Sequence, residues 1–210
     1  MCMETFLRLP EEKRSRFLDA AWEEFTRVSF ADASTNQIVR RAGIPRGSFY
    51  QYFRDKEDLF HYLMTQARDH FVELYSGIMD EVGGDMFQTQ LLCYDRFAQQ
   101  RPEPDVLFER CTQVLRLNPG LHMQMLLEDQ PGCRTMMDIS KKADLSAFDS
   151  GETAKEAFML SLLALVAAVM DGLAGPERAA EFRNQLVKRL EIIKQGSLAA
   201  GRSQTARRNL

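Results

Sequence analysis

Along most of this chain the apolar residues recur every three to four positions and almost nowhere alternate. A chain patterned this way buries stripes of helices rather than faces of sheets, so an all-α fold is expected. Leu9-Pro10-Glu11-Glu12 has proline and acids where a first turn favours them, and Leu18, Ala21, Trp22, Phe25 and Val28 then follow at helical spacing. Ser34 or Thr35 caps a short second helix with Ile38, Val39 and Ala42 on its apolar face. Gly43 ends that helix, and Pro45 opens a third over 46–53. Asp55, with Asp58 three residues on, caps a long fourth helix striped by Phe60, Leu63, Ala67, Phe71, Leu74 and Ile78, which Gly83-Gly84 closes. Further helices are predicted near 85–100, 103–117, 120–129, 132–147, 153–173 and 176–195, divided by glycine and proline.

The 210 residues suffice for one or two domains with a real core. A net charge of −3 argues against a protein that coats nucleic acid, but the charge is uneven. Ile38 to Arg54 holds Arg40, Arg41, Arg46 and Arg54 and no acid, which suits a local polyanion site, with a solvated face as the equal alternative from charge alone. Cys2, Cys93, Cys111 and Cys133 lie too far apart in sequence for a Cys-x-x-Cys pair, and His61, His70 and His122 are dispersed, so no metal and no cofactor is expected. Scattered free thiols suit a reducing cytoplasm. The most apolar run, Ala157 to Met170, is shorter than the roughly 20 residues of a membrane span, so it is expected as a buried helix with no membrane partner. Motifs of phosphate-cradling loops, serine hydrolases and zinc proteases are absent, so no enzyme and no catalytic residue is expected; Glu128 and Asp129 are assigned to solvent.

Two short helices joined by a glycine turn make a helix-turn-helix. Phe49 and Phe53, four apart, share a face and are expected to pack inward against Trp22, Phe25 and Ile38. Gly47 and Gln51 lie opposite, with Ser48, Tyr50 and Tyr52 flanking. Glutamine pairs bidentately with adenine in a major groove, and tyrosine hydroxyls reach phosphates. The segment STNQIVRRAGIPRGSFYQYFRDKEDLF closely resembles the DNA-binding signature of TetR-type bacterial transcriptional regulators: threonine before the second helix, an Ala-Gly turn, Gly-x-x-Tyr-x-x-Phe, then Lys-Glu-x-Leu. The resemblance runs from about Glu11 to Phe60. It implies DNA contacts at Thr35, Arg46, Gly47, Ser48, Tyr50, Gln51, Tyr52 and Lys56. Pro45 stands where a small hydroxyl residue is common, and Gln51 replaces a frequent aromatic.

The resemblance also implies an N-terminal three-helix DNA-binding domain (residues 1–56) and a helical effector-binding and dimerisation domain (57–195), about nine helices in all, with 196–210 expected as a flexible tail. Phe182, Leu186, Leu190 and Ile193 form a stripe assigned to a dimer interface alongside the apolar helix 153–173; the plain alternative places that helix at the centre of a monomer. Cys93, Phe97, Phe108, Cys111, Met123, Met136, Phe158 and Leu162 are candidates to line an effector site, with ordinary core as the alternative for each, and eleven methionines suit an adaptable cavity. The expected function is a cytoplasmic, homodimeric, ligand-responsive regulator, a repressor released from a palindromic double-stranded DNA operator by a small apolar or amphipathic effector. The alternative is a helical carrier or enzyme whose N-terminal module no longer reads DNA. Cys93 and Cys111 would serve as thiol sensors only if exposed and of low pKa.

Overall fold

The computed structural model describes residues 4–99, 105–121, 140–148 and 150–208, without the side chains of Gln99 and 198–208. Among the described residues every regular element is helical. In chain order these are α1 (Glu4–Leu7), α2 (Glu11–Arg27), α3 (Thr35–Ala42), α4 (Arg46–Tyr52), α5 (Lys56–Glu81), α6 (Met86–Tyr94), α7 (Val106–Leu117), α8 (Gly151–Ala174) and α9 (Ala179–Arg208). A π-helical turn, Asp95–Gln99, continues α6, and a 3-10 turn, Pro176–Arg178, precedes α9. The chain divides into two compact units, one drawn from Met1–His70 and Asp105–Cys133, the other from Phe71–Pro104 and Arg134–Leu210.

The first unit is built around aromatic rings. Phe17 and Phe53 stack 5.8 Å apart, with Phe6, Tyr52 and Tyr62 closing around them and Phe49 at 6.2 Å from Phe17. Phe49 and Phe53 are inward-facing, as the i, i+4 spacing predicts, but their ring partners are Phe17 and Phe6. Phe25 belongs to a second cluster, with Phe30 and Phe60. The reason is register: Phe17 is two helical turns before Phe25 on the same face of α2, so each serves a different layer. The short α1, not foreseen from the pattern, brings the fully buried Phe6 into the first cluster. Asp55 and Asp58 cap α5 as a near capping box: Asp58 N–H donates to Asp55 Oδ1 at 2.7 Å, and the Asp58 carboxylate accepts from Arg54 N–H at 3.1 Å.

In the second unit α8 packs against α6 and α9. Ser150 caps α8 by accepting from Thr153 N–H. Tyr94 donates to the Ala179 carbonyl at 2.7 Å, passing so close to α8 that a Cβ on Gly172 would lie 2.8 Å from its hydroxyl. Asp95 takes both arms of Arg183, tying the π turn to α9. At 24 residues, with an 18-residue window of mean hydropathy 2.1, α8 is by length and composition long enough to cross a membrane, unlike its most apolar run alone; yet its inner face is packed within this unit. Two boundaries differ from the pattern. Residues 141–148 form turns, where Lys142 donates to Ser76 and Asp80 and Asp144 N–H pairs with Gly84. α9 continues to Arg208, past the last apolar stripe residue and through the segment expected as a tail. The predicted helix 120–129, most of 132–147, and Cys2, His122, Met123, Glu128, Asp129, Cys133 and Met136 lie outside the described residues.

Candidate nucleic-acid interface

The turn between α3 and α4 follows from one glycine. Gly43 has φ +64° and ψ +36°, the left-handed region that side chains avoid. Its N–H donates to the Arg40 carbonyl and the N–H of Ile44 to that of Val39, the paired bonds of a Schellman motif. Pro45, at φ −60°, then starts α4 without needing an N–H donor. Ile38, Val39, Ala42 and Phe49 are buried beneath the turn, so both helices are fixed from below. Arg16 adds a tie from α2, its Nε donating to the Ala42 carbonyl at 2.9 Å.

Above that floor the residues sort as the spacing predicts. Arg46, Gly47, Tyr50 and Gln51 are exposed on α4, and Ser48, Tyr52 and Thr35 are half-buried. No acid lies between Asp32 and Asp55, so phosphates approaching this face meet no fixed negative charge. Of the four arginines in the acid-free stretch, Arg40 and Arg46 are exposed and make no ion pair among the described residues. Arg41 is turned inward to Glu23 and Glu24, and Arg54 leans on Asp58. The basic patch is therefore smaller than the sequence suggests.

Two expected phosphate contacts have other duties. Tyr52 lays its ring edge-on to Phe17 at 5.8 Å and near Phe6, within the aromatic core. Lys56 spends all three ammonium donors on the carbonyls of Phe30, Ala31 and Ala33 at 2.6, 3.1 and 2.9 Å, and sits 4.6 Å over the Phe30 ring. In the free protein Lys56 thus clamps the loop leading into α3 instead of presenting charge.

That loop is held from two more sides. Asn118, at the end of α7, accepts from Phe30 N–H at 2.8 Å, and α7 is fastened to α2 by Arg110–Asp19. Glu24, only 1% exposed, accepts from Ser34 N–H at 3.0 Å, from Arg27 at 2.9 Å and from Arg41. Burial pushes its carboxyl up, but hydrogen bonds from Arg27, Arg41 and Ser34 outweigh this and hold it below the ordinary value. Sequence reasoning missed Glu24, Arg41, Asn118 and the clamping role of Lys56. The only local signal was that Glu24 falls on the apolar side of α2, beside Ala21 and Phe25.

Residues 17–63, covering α2 to the start of α5, match the family model described as bacterial regulatory proteins, tetR family. This module belongs to the tetR family. A regulator from Bacillus subtilis (strain 168), the uncharacterized HTH-type transcriptional regulator YdgC, is 39% identical over 72 residues, which are 34% of this chain and 37% of that protein. The HTH-type transcriptional regulator SrpR of Pseudomonas putida is 39% identical over 64 residues, 30% of each chain. The chain thus spans about a third of the length of these curated relatives. A solved TetR family transcriptional regulator from Chloroflexus aurantiacus aligns over 93% of this chain and 98% of its own, at 22% identity and a TM-score of 0.42.

Outside the tetR module, the residues assigned to an effector site do not share one unit. Cys93, Phe97, Phe158 and Leu162 lie in the second, with Phe97 edge-on to Phe71, whereas Phe108 and Cys111 are core residues of the first. Both described cysteines are buried and free. Burial pushes the Cys93 thiol far above its usual value and that of Cys111 up to about 12, which removes the nucleophilic thiolate a sensor needs. Among the described residues no group of three or more His, Cys, Asp or Glu side chains could hold a metal.

Proposed function

We propose that this chain is a ligand-responsive, DNA-binding transcriptional regulator, a repressor that acts as a homodimer on a palindromic operator and is not an enzyme. The observation carrying the reading is the acid-free face of α3 and α4, on which Arg40, Arg46, Gly47, Tyr50 and Gln51 stand exposed on a rigid aromatic floor. A carrier or enzyme with a silent N-terminal module has no use for such a face. Arg46, Ser48 and Tyr50 contact phosphates, Gly47 admits the backbone closely, and Gln51 reads a base. Thr35, at the first turn of α3, completes the phosphate contacts. One helix of seven residues reads few base pairs, so specificity requires two copies, with half-sites about 34–36 Å apart or a multiple of that.

Part of the stripe picked out in the sequence is already covered within the single chain. Leu186 and Leu190 are buried within the single chain, and Phe182 and Ile193 are half-buried. What remains open is a stripe on α8 with Leu160 51% exposed and Ala167 and Ala174 one and two heptads on, and Val187 and Ile192 on α9, 38% and 70% exposed. Apolar side chains this open on two neighbouring helices favour cover by a second copy.

Selection of bound sequences from a random DNA pool by the full chain tests the function. A two-fold symmetric consensus is expected, lost in Arg46→Ala/Tyr50→Ala. Enrichment of no sequence overturns the reading.

A further inference from the structure

Residues 1–60 carry eight arginines, and the fold sorts them into two groups. Five are neutralised by carboxylates: Arg8 by Glu4, Arg14 by Glu11, Arg27 by Glu24, Arg41 by Glu23 and Glu24, and Arg54 by Asp58. Arg16, Arg40 and Arg46 are exposed and pair with no acid among the described residues. All three surround the turn between α3 and α4. Arg40 stands before it, its carbonyl accepting from Gly43 N–H, and Arg46 opens α4 just after it. Arg16 is 26 positions from Ala42 in sequence, yet α2 brings its Nε to 2.9 Å from the Ala42 carbonyl. A guanidinium holds five N–H donors in a rigid fork. The Ala42 bond uses one and orients the group, while the others have no partner among the described residues. Glu12 and Asp19 lie about one turn to either side of Arg16 on α2, but Asp19 is taken by Arg110 and neither pairs with Arg16. Pro45, in the midst of these charges, offers an anion neither an N–H nor a hydroxyl, so the start of α4 lacks a donor of its own.

We propose that Arg16 and Arg40 contact the phosphate backbone of duplex DNA, forming with Arg46 a cluster of three cations that seats one strand against the α3–α4 turn. The proposal rests on the DNA-binding reading above and extends it, because Arg16 and Arg40 lie on α2 and α3 and belong to none of the contacts implied by the resemblance. Three like charges around one turn repel one another in the free protein, and a phosphate backbone relieves that repulsion. Arg16 supplies from α2 the donors that Pro45 lacks. Held by its Nε, it presents its remaining N–H groups already oriented, and a planar fork of this kind can meet two phosphate oxygens at once. Such contacts carry no sequence information; they fix the register of α4 on the duplex so that Gln51 meets a base edge. A cap for the carbonyl end of α3 would also use the Ala42 bond, but it gives no reason for Arg40 and Arg46 to stand unpaired beside it.

The test uses the full chain with two duplexes, the sequence enriched by selection and a random one of equal length, and measures affinity across a range of salt concentrations. Each phosphate neutralised steepens the fall of log K with log[salt] by about 0.9. Arg16→Gln and Arg40→Gln should therefore each make the slope shallower by about 0.9 per chain bound, on both duplexes alike. Arg16→Lys keeps the charge and should keep the slope. Arg8→Gln, which removes an exposed charge already paired with Glu4, should leave it unchanged. The urea transition of the buried Trp22 shows that each variant is folded. Arg40→Gln removes no side-chain bond seen in the fold, so it carries the test even where loss of the Ala42 bond loosens α3. An unchanged slope in Arg16→Gln, which would make Arg16 a helix cap only, an unchanged slope in Arg40→Gln, or an equal change in Arg8→Gln, which would make the effect one of net charge, overturns the cluster. A two-fold consensus enriched by the wild type with slopes unchanged in the variants sinks the cluster and leaves the regulator. Binding of random duplex through these arginines with no sequence enriched sinks the regulator and leaves the cluster.

Discussion

Glu24→Gln isolates the charge at the centre of the loop clamp. The carboxylate accepts from Ser34 N–H, Arg27 and Arg41 while itself 1% exposed. Removing one partner of a buried ion pair costs about 3–5 kcal/mol. The arginines here are partly in solvent, with side chains 52% and 24% exposed, and glutamine still accepts from Ser34, so the loss is expected at about 2–3 kcal/mol at neutral pH. The pH dependence gives the sharper reading. The folded carboxyl titrates below its ordinary value of 4.5, so its contribution is complete above that pH and disappears as pH falls through the folded value. Wild type should therefore lose stability relative to Glu24→Gln on going from pH 6 towards pH 3, and the gap between them should close.

Trp22 makes the assay direct. It is the only tryptophan, buried on α2 a half-turn from Glu24, so its fluorescence in urea reports the first unit. Midpoints for both proteins at several pH values give the difference with other titrating groups, such as the His70-paired Asp105, common to both. A gap that stays constant with pH, or no gap at pH 7, would refute the claim that the charge of Glu24 holds α3 to α2.

Phe49→Ala should destabilise the same fluorescence transition by about 3–5 kcal/mol, because the ring is wholly buried; a stable variant with altered DNA preference would put Phe49 on the DNA instead. Gln51→Ala should change preference at one base position per half-site by about 1–3 kcal/mol, read by quantitative selection, whereas Tyr50→Ala should weaken all sequences alike. Lys56→Met should loosen the 28–34 loop, seen as faster amide exchange at Phe30 to Ser34, and should reduce specific binding more than a surface lysine would; unchanged exchange would return Lys56 to a simple phosphate contact. Leu160→Glu/Ile192→Glu should sediment as a folded monomer, while Leu186→Glu should unfold, since Leu186 is buried within its own chain; a folded, monomeric Leu186→Glu would restore the original stripe as the interface.

The helix-turn-helix was legible because its signals are local. Gly43 closes a helix by bonds spanning five residues, Pro45 starts the next, and Phe49 and Phe53 need only the helical repeat to share a face. The clamp was not, since its partners are distant in sequence: Lys56 reaches back 26 positions to Phe30, Arg41 reaches 17 to Glu24, and Asn118 reaches 88. Periodicity assigns a lysine to solvent by default and has no means of registering three carbonyls assembled elsewhere.

The apolar stripes show the complementary limit. Phe182, Leu186, Leu190 and Ile193 are read from the sequence as a dimer interface, but a repeat of 3.6 residues says nothing of what covers such a stripe. Within the chain Leu186 and Leu190 are buried where α9 packs on α8, while Phe182 and Ile193 are half-buried and Leu160, Val187 and Ile192, outside that pattern, stand open.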